Sequence, residues 1–419
     1  MSRVRLLALL GIVPLVLLAA CPDGEPDAAT GDASSTGGTS GGSGMGGSAG
    51  TDAGLVWDPV WHETKPNDWA PVSATDLPDC GEGCRLALNV PLRNRATFGH
   101  QYTGERVLSM AKEGLVFADL GSSVTLNFPH PADAARLDPS VWGDFVSYQR
   151  AFGTADGQVE VANLVTGETK LAFRYTPDKL MNSVERTVMG PNHVYWVYTG
   201  GLWARNLQTG EVKNLTGFCW TYCAIDNAIV CDAGRIKRID ALTGEHTFID
   251  NGGAWQTHGT CSPGRAKYVW VDYRDPPGPG STEFGRSGGE IYVHDLSTKT
   301  TKRVTFDSPG APRGKVYPAV DGDLIVWNEP GIGDPADPNT LTKLHVASNW
   351  IAKFDMKTGK RCQMTSRKFY VAFKSLHGTH LYGTWFDSSK PGGDTWLIDL
   401  DLEHPSLKWD CVDTPQWKP

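Results

Sequence analysis

The residues best able to do chemistry in this 419-residue chain are scattered, not gathered into one motif. Two imidazoles stand three apart in His377-Gly378-Thr379-His380. Ligands on one face of a strand are spaced two or four apart, so a shared metal would need a bend at Gly378. His258 or His62 could complete such a set; the plainer reading is polar loop histidines. Carboxylates form the second group. Asp272, Asp275, Glu290 and Glu329, with the two histidines, are the enzymic candidates, because polysaccharide cleavage needs two carboxylates ~5–10 Å apart or a metal with a base. Asp334, Asp337 and Asn339 in GIGDPADPNT offer oxygens at rough calcium-like spacing. The twelve-residue loop pattern with its terminal Glu is missing, and the prolines there favour a rigid surface excursion. Two Gly-x-Ser-x-Gly matches, 46–50 and 285–289, lack the strand-then-helix setting that exposes a nucleophilic hydroxyl. No catalytic residue is assigned and no cofactor is expected; calcium, or a transition metal at His377 and His380, is the alternative these residues carry.

Cysteine chemistry bears on compartment. Arg3 and Arg5 precede the apolar run LLALLGIVPLVLLAA, which ends at Cys21. A plain secretory signal ends in small residues. Here small residues precede a cysteine, and Leu18-Ala19-Ala20-Cys21 resembles the lipobox of bacterial lipoproteins. That resemblance implies a signal peptide over 1–20, a lipid on Cys21 as the chain's contact with membrane, and a place in the cell envelope. Residues 21–54 are Gly/Ser-rich and have nothing to bury that would offset the entropy of ordering them. As a flexible coil this tether spans ~30 Å. Losing Arg3 and Arg5 takes the formal charge from −8 to −8 − 2 = −10. Eight cysteines remain: Cys80, Cys84, Cys219, Cys223, Cys231, Cys261, Cys362 and Cys411. An even set in an exported chain implies disulfides, and no CxxC spacing or paired His supports zinc. The favoured pairs are Cys80–Cys84 and Cys219–Cys223 as loop staples, then Cys231–Cys261 and Cys362–Cys411.

The elements that must position these groups are strands. The chain carries 48 Gly, 15 Trp and 12 Tyr with few helix-favouring runs, and its acidic balance argues against a nucleic-acid partner. One pattern, IYVHDLSTKTTKRVT at 291–305, recurs at 159–173, 202–216, 236–250 and 351–365, and more weakly at 395–409. A second, YPAVDGDLIVW at 317–327, recurs at 138–150, 190–198, 224–232, 264–274 and 377–387. Both alternate apolar and polar residues around a turn, and Asp-Gly between apolar runs is a hairpin signal. Together they give four antiparallel strands per repeat, so the expected fold is an all-β propeller. Hairpins near 114, 143, 193, 227, 266, 322 and 380 give seven blades; Thr-Gly units give six. The propeller is placed at 106–419, its first copy (106–128) a strand short. Residues 55–105 form an irregular segment from which a strand within 80–100 could close the ring.

The repeat PAVDGDLIVW…IYVHDLST…RVT resembles those of TolB-like β-propellers over roughly 106–409, and Trp270-x-Asp272-Tyr273-Arg274 matches a turn that family often writes. The resemblance implies a binding platform. Oligogalacturonate lyases are similar in architecture and hold a metal with His, but no motif of theirs is matched here, so no role is carried over. Runs 273–290 and 329–350 lengthen two adjacent blades on one side, where long loops are most often functional. The binding-face candidates are Asp272, Tyr273, Arg274, Phe284, Glu329 and Trp350, with Trp270 and Trp327 expected between blades. The expected function is a non-catalytic binding or scaffold module for a protein or glycan. The alternative is a polysaccharide lyase or hydrolase with its site at the channel mouth. Oligomeric state is not legible.

Overall fold

The computed structural model describes residues 78–87 and, between 101 and 417, the strands and the shorter turns joining them; structural statements below concern those residues. The chain divides into two compact units, 1–53 and 54–419, and every described residue lies in the second. Cys21, the signal and tether segments, Asp275, Phe284 and the Asp334–Asn339 loop fall outside the described residues. Among the described residues no helix is long and apolar enough to cross a membrane.

The protein is an all-β propeller. Its strands form seven antiparallel sheets. The first comprises β2 (Gln101–Thr103), β3 (Arg106–Ala111), β4 (Gly114–Asp119) and β5 (Thr125–Pro129). The second has β6 (Ala135–Trp142), β7 (Phe145–Phe152), β8 (Asp156–Asn163) and β9 (Thr169–Tyr175). The third has β10 (Thr187–Met189), β11 (His193–Tyr198), β12 (Gly201–Asn206) and β13 (Val212–Gly217). The fourth has β14 (Thr221–Ile225), β15 (Ala228–Asp232), β16 (Ile236–Asp240) and β17 (His246–Phe248). The fifth has β18 (Gln256–Cys261), β19 (Lys267–Asp272), β20 (Glu290–Asp295) and β21 (Thr300–Arg303). The sixth has β22 (Val316–Asp321), β23 (Leu324–Pro330), β24 (Asn349–Asp355) and β25 (Lys360–Met364). The seventh has β26 (Ala372–His377), β27 (His380–Phe386) and β28 (Thr395–Asp401). Leading strands of successive sheets touch one another, and β2 touches β26, which closes the ring.

The strand offered within 80–100 to close the ring is present, and one further strand lies where the repeats do not place it. β1 (Cys84–Leu86) pairs with β28 and completes the seventh sheet, with Cys84 opposite Leu400 and Leu86 opposite Ile398. β29 (Trp409–Asp413), expected as the last strand of the seventh sheet, instead pairs with β25 and gives the sixth a fifth strand. The first sheet is not a strand short, since β2 supplies its missing member. Strands of the ring thus begin before residue 106.

Middle strands are buried on both faces, as in Ala228–Asp232, so their residues run apolar without alternation. Clusters fill the space between neighbours, such as Tyr195, Val197, Ala224, Ile229 and Cys231 between the third and fourth sheets. Turns are set by polar side chains. The carboxylate or amide oxygen of Asn206, Asp240, Asp295 and Asp355 accepts the backbone N–H groups two and three residues on. The turn then needs positive φ, which Gly210, Gly244 and Gly359 supply; Lys299 takes that place after Asp295 at φ 57°.

Strand parity also corrects two disulfides. The bonds are Cys80–Cys84, Cys219–Cys231, Cys223–Cys261 and Cys362–Cys411. Tyr222 opposes Cys231 and Cys223 opposes Val230, so Cys223 and Cys231 face opposite sides of their sheet. Cys231 joins Cys219 toward the third sheet, and Cys223 looks toward the fifth, where Cys261 ends β18. A staple between Cys219 and Cys223 would have to cross the sheet.

Candidate functional site

Each sheet has two ends. Turns joining its first and second strands, and its third and fourth, gather at one end; the second-to-third connections leave from the other. Asp272 and Glu329 close the second strands of their sheets and belong to the loop end. His377 and His380 flank the β26–β27 turn and belong to the turn end. The structure therefore does not bring the enzymic candidates into one constellation.

At the loop end Asp272 is fully buried. It accepts hydrogen bonds from Trp270 Nε1 at 3.0 Å, Gln256 Nε2 at 2.8 Å, and the Arg274 backbone N and Nε, both at 2.9 Å. Arg274 Nη2 lies 2.5 Å from Asp272 and 2.7 Å from Asp250, and its guanidinium sits 4.3 Å above the Tyr292 ring. Burial pushes the Asp272 carboxyl up, but donors from Arg274, Trp270 and Gln256 outweigh it and hold it below the usual range. The hydrogen bond to Asp272 raises Arg274 in turn. The next sheet repeats the plan: Glu329 accepts from Trp327 Nε1 at 2.7 Å, Arg361 Nη2 at 2.6 Å and Gln363 Nε2 at 3.3 Å. Trp270 and Trp327 are wholly buried, as the sequence leads one to expect.

Between these two networks lies a third. Glu290 is bonded by the Thr305 hydroxyl and paired with Arg303 at 3.2 Å and Lys315 at 3.2 Å. Lys315, fully buried, also donates to the Gly289 carbonyl at 3.1 Å and so ties the sixth sheet's approach to the fifth sheet's loop. These charges act as struts for the strand ends that carry 275–288 and 331–348. Tyr273 is half-buried against the core between the two sheets, and Trp350 stands opposite Glu329 across β23 and β24. Of the candidates, Asp272, Arg274 and Glu329 are fixed in the framework; Tyr273 and Trp350 lie at its margin. Sequence reading missed Gln256, Asp250, Lys315 and Arg361. The Trp-x-acid pattern shared by Trp270/Asp272 and Trp327/Glu329 was the available signal, but their cationic partners follow no common spacing.

At the turn end His377 and His380 are cross-strand neighbours, yet each turns to its own carboxylate. His377 Nδ1 is 3.8 Å from Asp321 of the neighbouring sheet. His380 Nδ1 is 2.8 Å from Asp399, which is 2% exposed and also holds Arg85 Nη2 at 2.7 Å. A pocket of ≈ 250 Å³ opens here, with Arg85, His380, Asp401 and His404 in its lining. The Ser406 backbone N–H donates to His404 Nδ1 at 3.3 Å, which places that ring's proton on Nε2 when neutral. Arg85 and His404 join His380 here from outside the sequence-predicted set. Among the described residues no three His, Cys, Asp or Glu side chains converge as a metal site.

No family model matches the sequence, and no curated protein matches it. Solved structures do match in fold. An oligogalacturonate lyase from Vibrio parahaemolyticus is 12% identical, with 77% of this chain and 94% of that one covered, at a TM-score of 0.50. An oligogalacturonate lyase in complex with manganese is 15% identical over 77% of this chain and 91% of that one, at 0.47. TolB from Acinetobacter baumannii is 15% identical over 76% and 65%, at 0.37. At such identities the likeness is one of fold, and it agrees with the ring of sheets: the chain is a β-propeller.

Proposed function

We propose that this propeller is a non-catalytic binding or scaffold module for a protein or glycan, held at the bacterial cell envelope by a lipid on Cys21. The observation that carries the reading is the charge framework around Asp272, Glu290 and Glu329. It spends buried carboxylates on internal donors and so stiffens the strand ends from which two long loops leave on adjacent blades. Loops on a rigid scaffold are where binding residues concentrate. The test is capture of envelope proteins and a glycan array with the unit from residue 55 onward, beside a variant in which 275–288 and 331–348 are replaced by short turns. Binding should be present and should fall at least tenfold in the variant at unchanged melting temperature. Both assays coming up empty would end this reading.

A second reading, a polysaccharide-active enzyme, draws on His380. Asp399 holds its Nδ1 side, leaving Nε2 as the ring nitrogen available to a substrate, with Arg85 close by on the same carboxylate. Incubation with acidic and neutral polysaccharides, reading reducing ends and unsaturated products, decides it. Turnover that drops at least 100-fold in His380→Ala would establish the enzyme; none above buffer would dismiss it.

A further inference from the structure

A second opening lies far from the loop end, where the turns of the second and third sheets meet. We propose that it binds a single pyranose ring, independently of the long loops. The pocket measures ≈ 290 Å³, at the small end of the ~300–1,000 Å³ usual for ligand sites. That is room for one ring.

Its lining has two characters. One wall is apolar: Phe145 at the start of β7, Pro191 in the β10–β11 turn and Leu207 after β12. Phe145 and Leu207 lean on the core cluster that holds Trp196, so this wall is backed by packed side chains. The other is polar and almost uncharged: Asn163, Asn192 and Gln208, with Lys170 as the single ion. A pyranose has matching halves, a C–H face without hydrogen-bonding groups and a rim of hydroxyls that both donate and accept. Carboxamides are the side chains that also do both in fixed positions. Among the described residues no carboxylate lines the pocket, and one lysine is a poor match for a phosphate or polyanion.

The Asn192 side chain and the backbone of the turns around it are set before any ligand arrives. Asn192 Nδ2 donates to Asn227 Oδ1 of the next sheet at 2.9 Å, which fixes its rotamer. The Asn192 carbonyl accepts from the Leu207 N–H at 2.9 Å, which ties the two turns together. The Gln208 N–H is held by Asn206 Oδ1 at 2.8 Å. Such preorganisation lowers the ordering cost that a weak, hydroxyl-based contact would otherwise bear.

Saturation-transfer NMR on the full chain in mild detergent, with the methyl glycosides of glucose, galactose, mannose and N-acetylglucosamine as probes, tests this. At least one glycoside should show transfer to its ring protons. Gln208→Ala and Lys170→Gln, both at solvent-reached positions, should together weaken it at least fivefold without moving the melting temperature. Shortening 275–288 and 331–348 should leave it unchanged. Transfer from none of the four probes overturns the proposal, as does transfer that survives the pocket substitutions. Transfer lost only on shortening the loops also overturns it, and assigns the sugar to the loop end.

Discussion

Lys315 shows how much of this molecule's chemistry is internal. Its ammonium is fully buried, 3.2 Å from Glu290, and bridges two blades. Removing Glu290 strands that ammonium, at a cost of about 3–5 kcal/mol, whereas removing Lys315 leaves Glu290 with Arg303 and Thr305. Glu290→Gln should therefore lower the denaturation midpoint sharply, and Glu290→Gln/Lys315→Met should recover part of the loss; chemical denaturation of both checks it. Asp272 makes a pH prediction. Its folded carboxyl lies below the ordinary value, so it favours the fold above about pH 4 and that contribution fades as pH falls through the lowered value. Melting scans from pH 7 to 2 should show a steeper acid decline for the native chain than for Asp272→Asn. The Trp270-x-Asp272-x-Arg274 triplet was legible because its members are two residues apart at the end of one strand. Lys315 was not, because only the ring brings a lysine from the following blade over Glu290.

At the scale of the element, the turns carry the repeat. Asp295 is held at about 2 by hydrogen bonds from Ser297 and Thr298, and Asp240 and Asp355 are lowered by donors in the same kind of turn. Lys299 occupies the left-handed position that glycine fills in three sister turns, at a cost of roughly 1–2 kcal/mol for an L-residue. Lys299→Gly should stabilise the protein by up to about 1 kcal/mol after the entropy that glycine loses on folding, readable as a raised melting temperature. Hairpins were legible because Asp-Gly and Thr-Gly mark them. Two disulfides, Cys80–Cys84 and Cys362–Cys411, were legible; the pairing of the other four cysteines was not, because it turns on which face a cysteine takes, and a shift of one residue reverses that face. Peptide mapping under non-reducing conditions should recover Cys223 linked to Cys261 and Cys219 linked to Cys231.

For the whole molecule, the ring is sealed by its upstream segment. β1 is three residues long and finds its place only because β28 lacks an outer partner, so no local pattern announces it. The other end is fastened twice, by Cys362–Cys411 and by Trp417, whose Nε1 donates to the Met356 carbonyl at 2.9 Å. Those fastenings give the two termini unequal mechanical strength. Tension applied through the downstream end meets Trp417 and two residue pairs of β29, and then a covalent bond. Tension applied through the upstream end meets Cys80–Cys84, a loop of its own that clips nothing to the ring, and then the short ladder from Cys84 to Leu86 with the Arg85–Asp399 pair. Pulled from that side, the protein should give way at one strand, exposing the edge of β28 while six sheets stay folded.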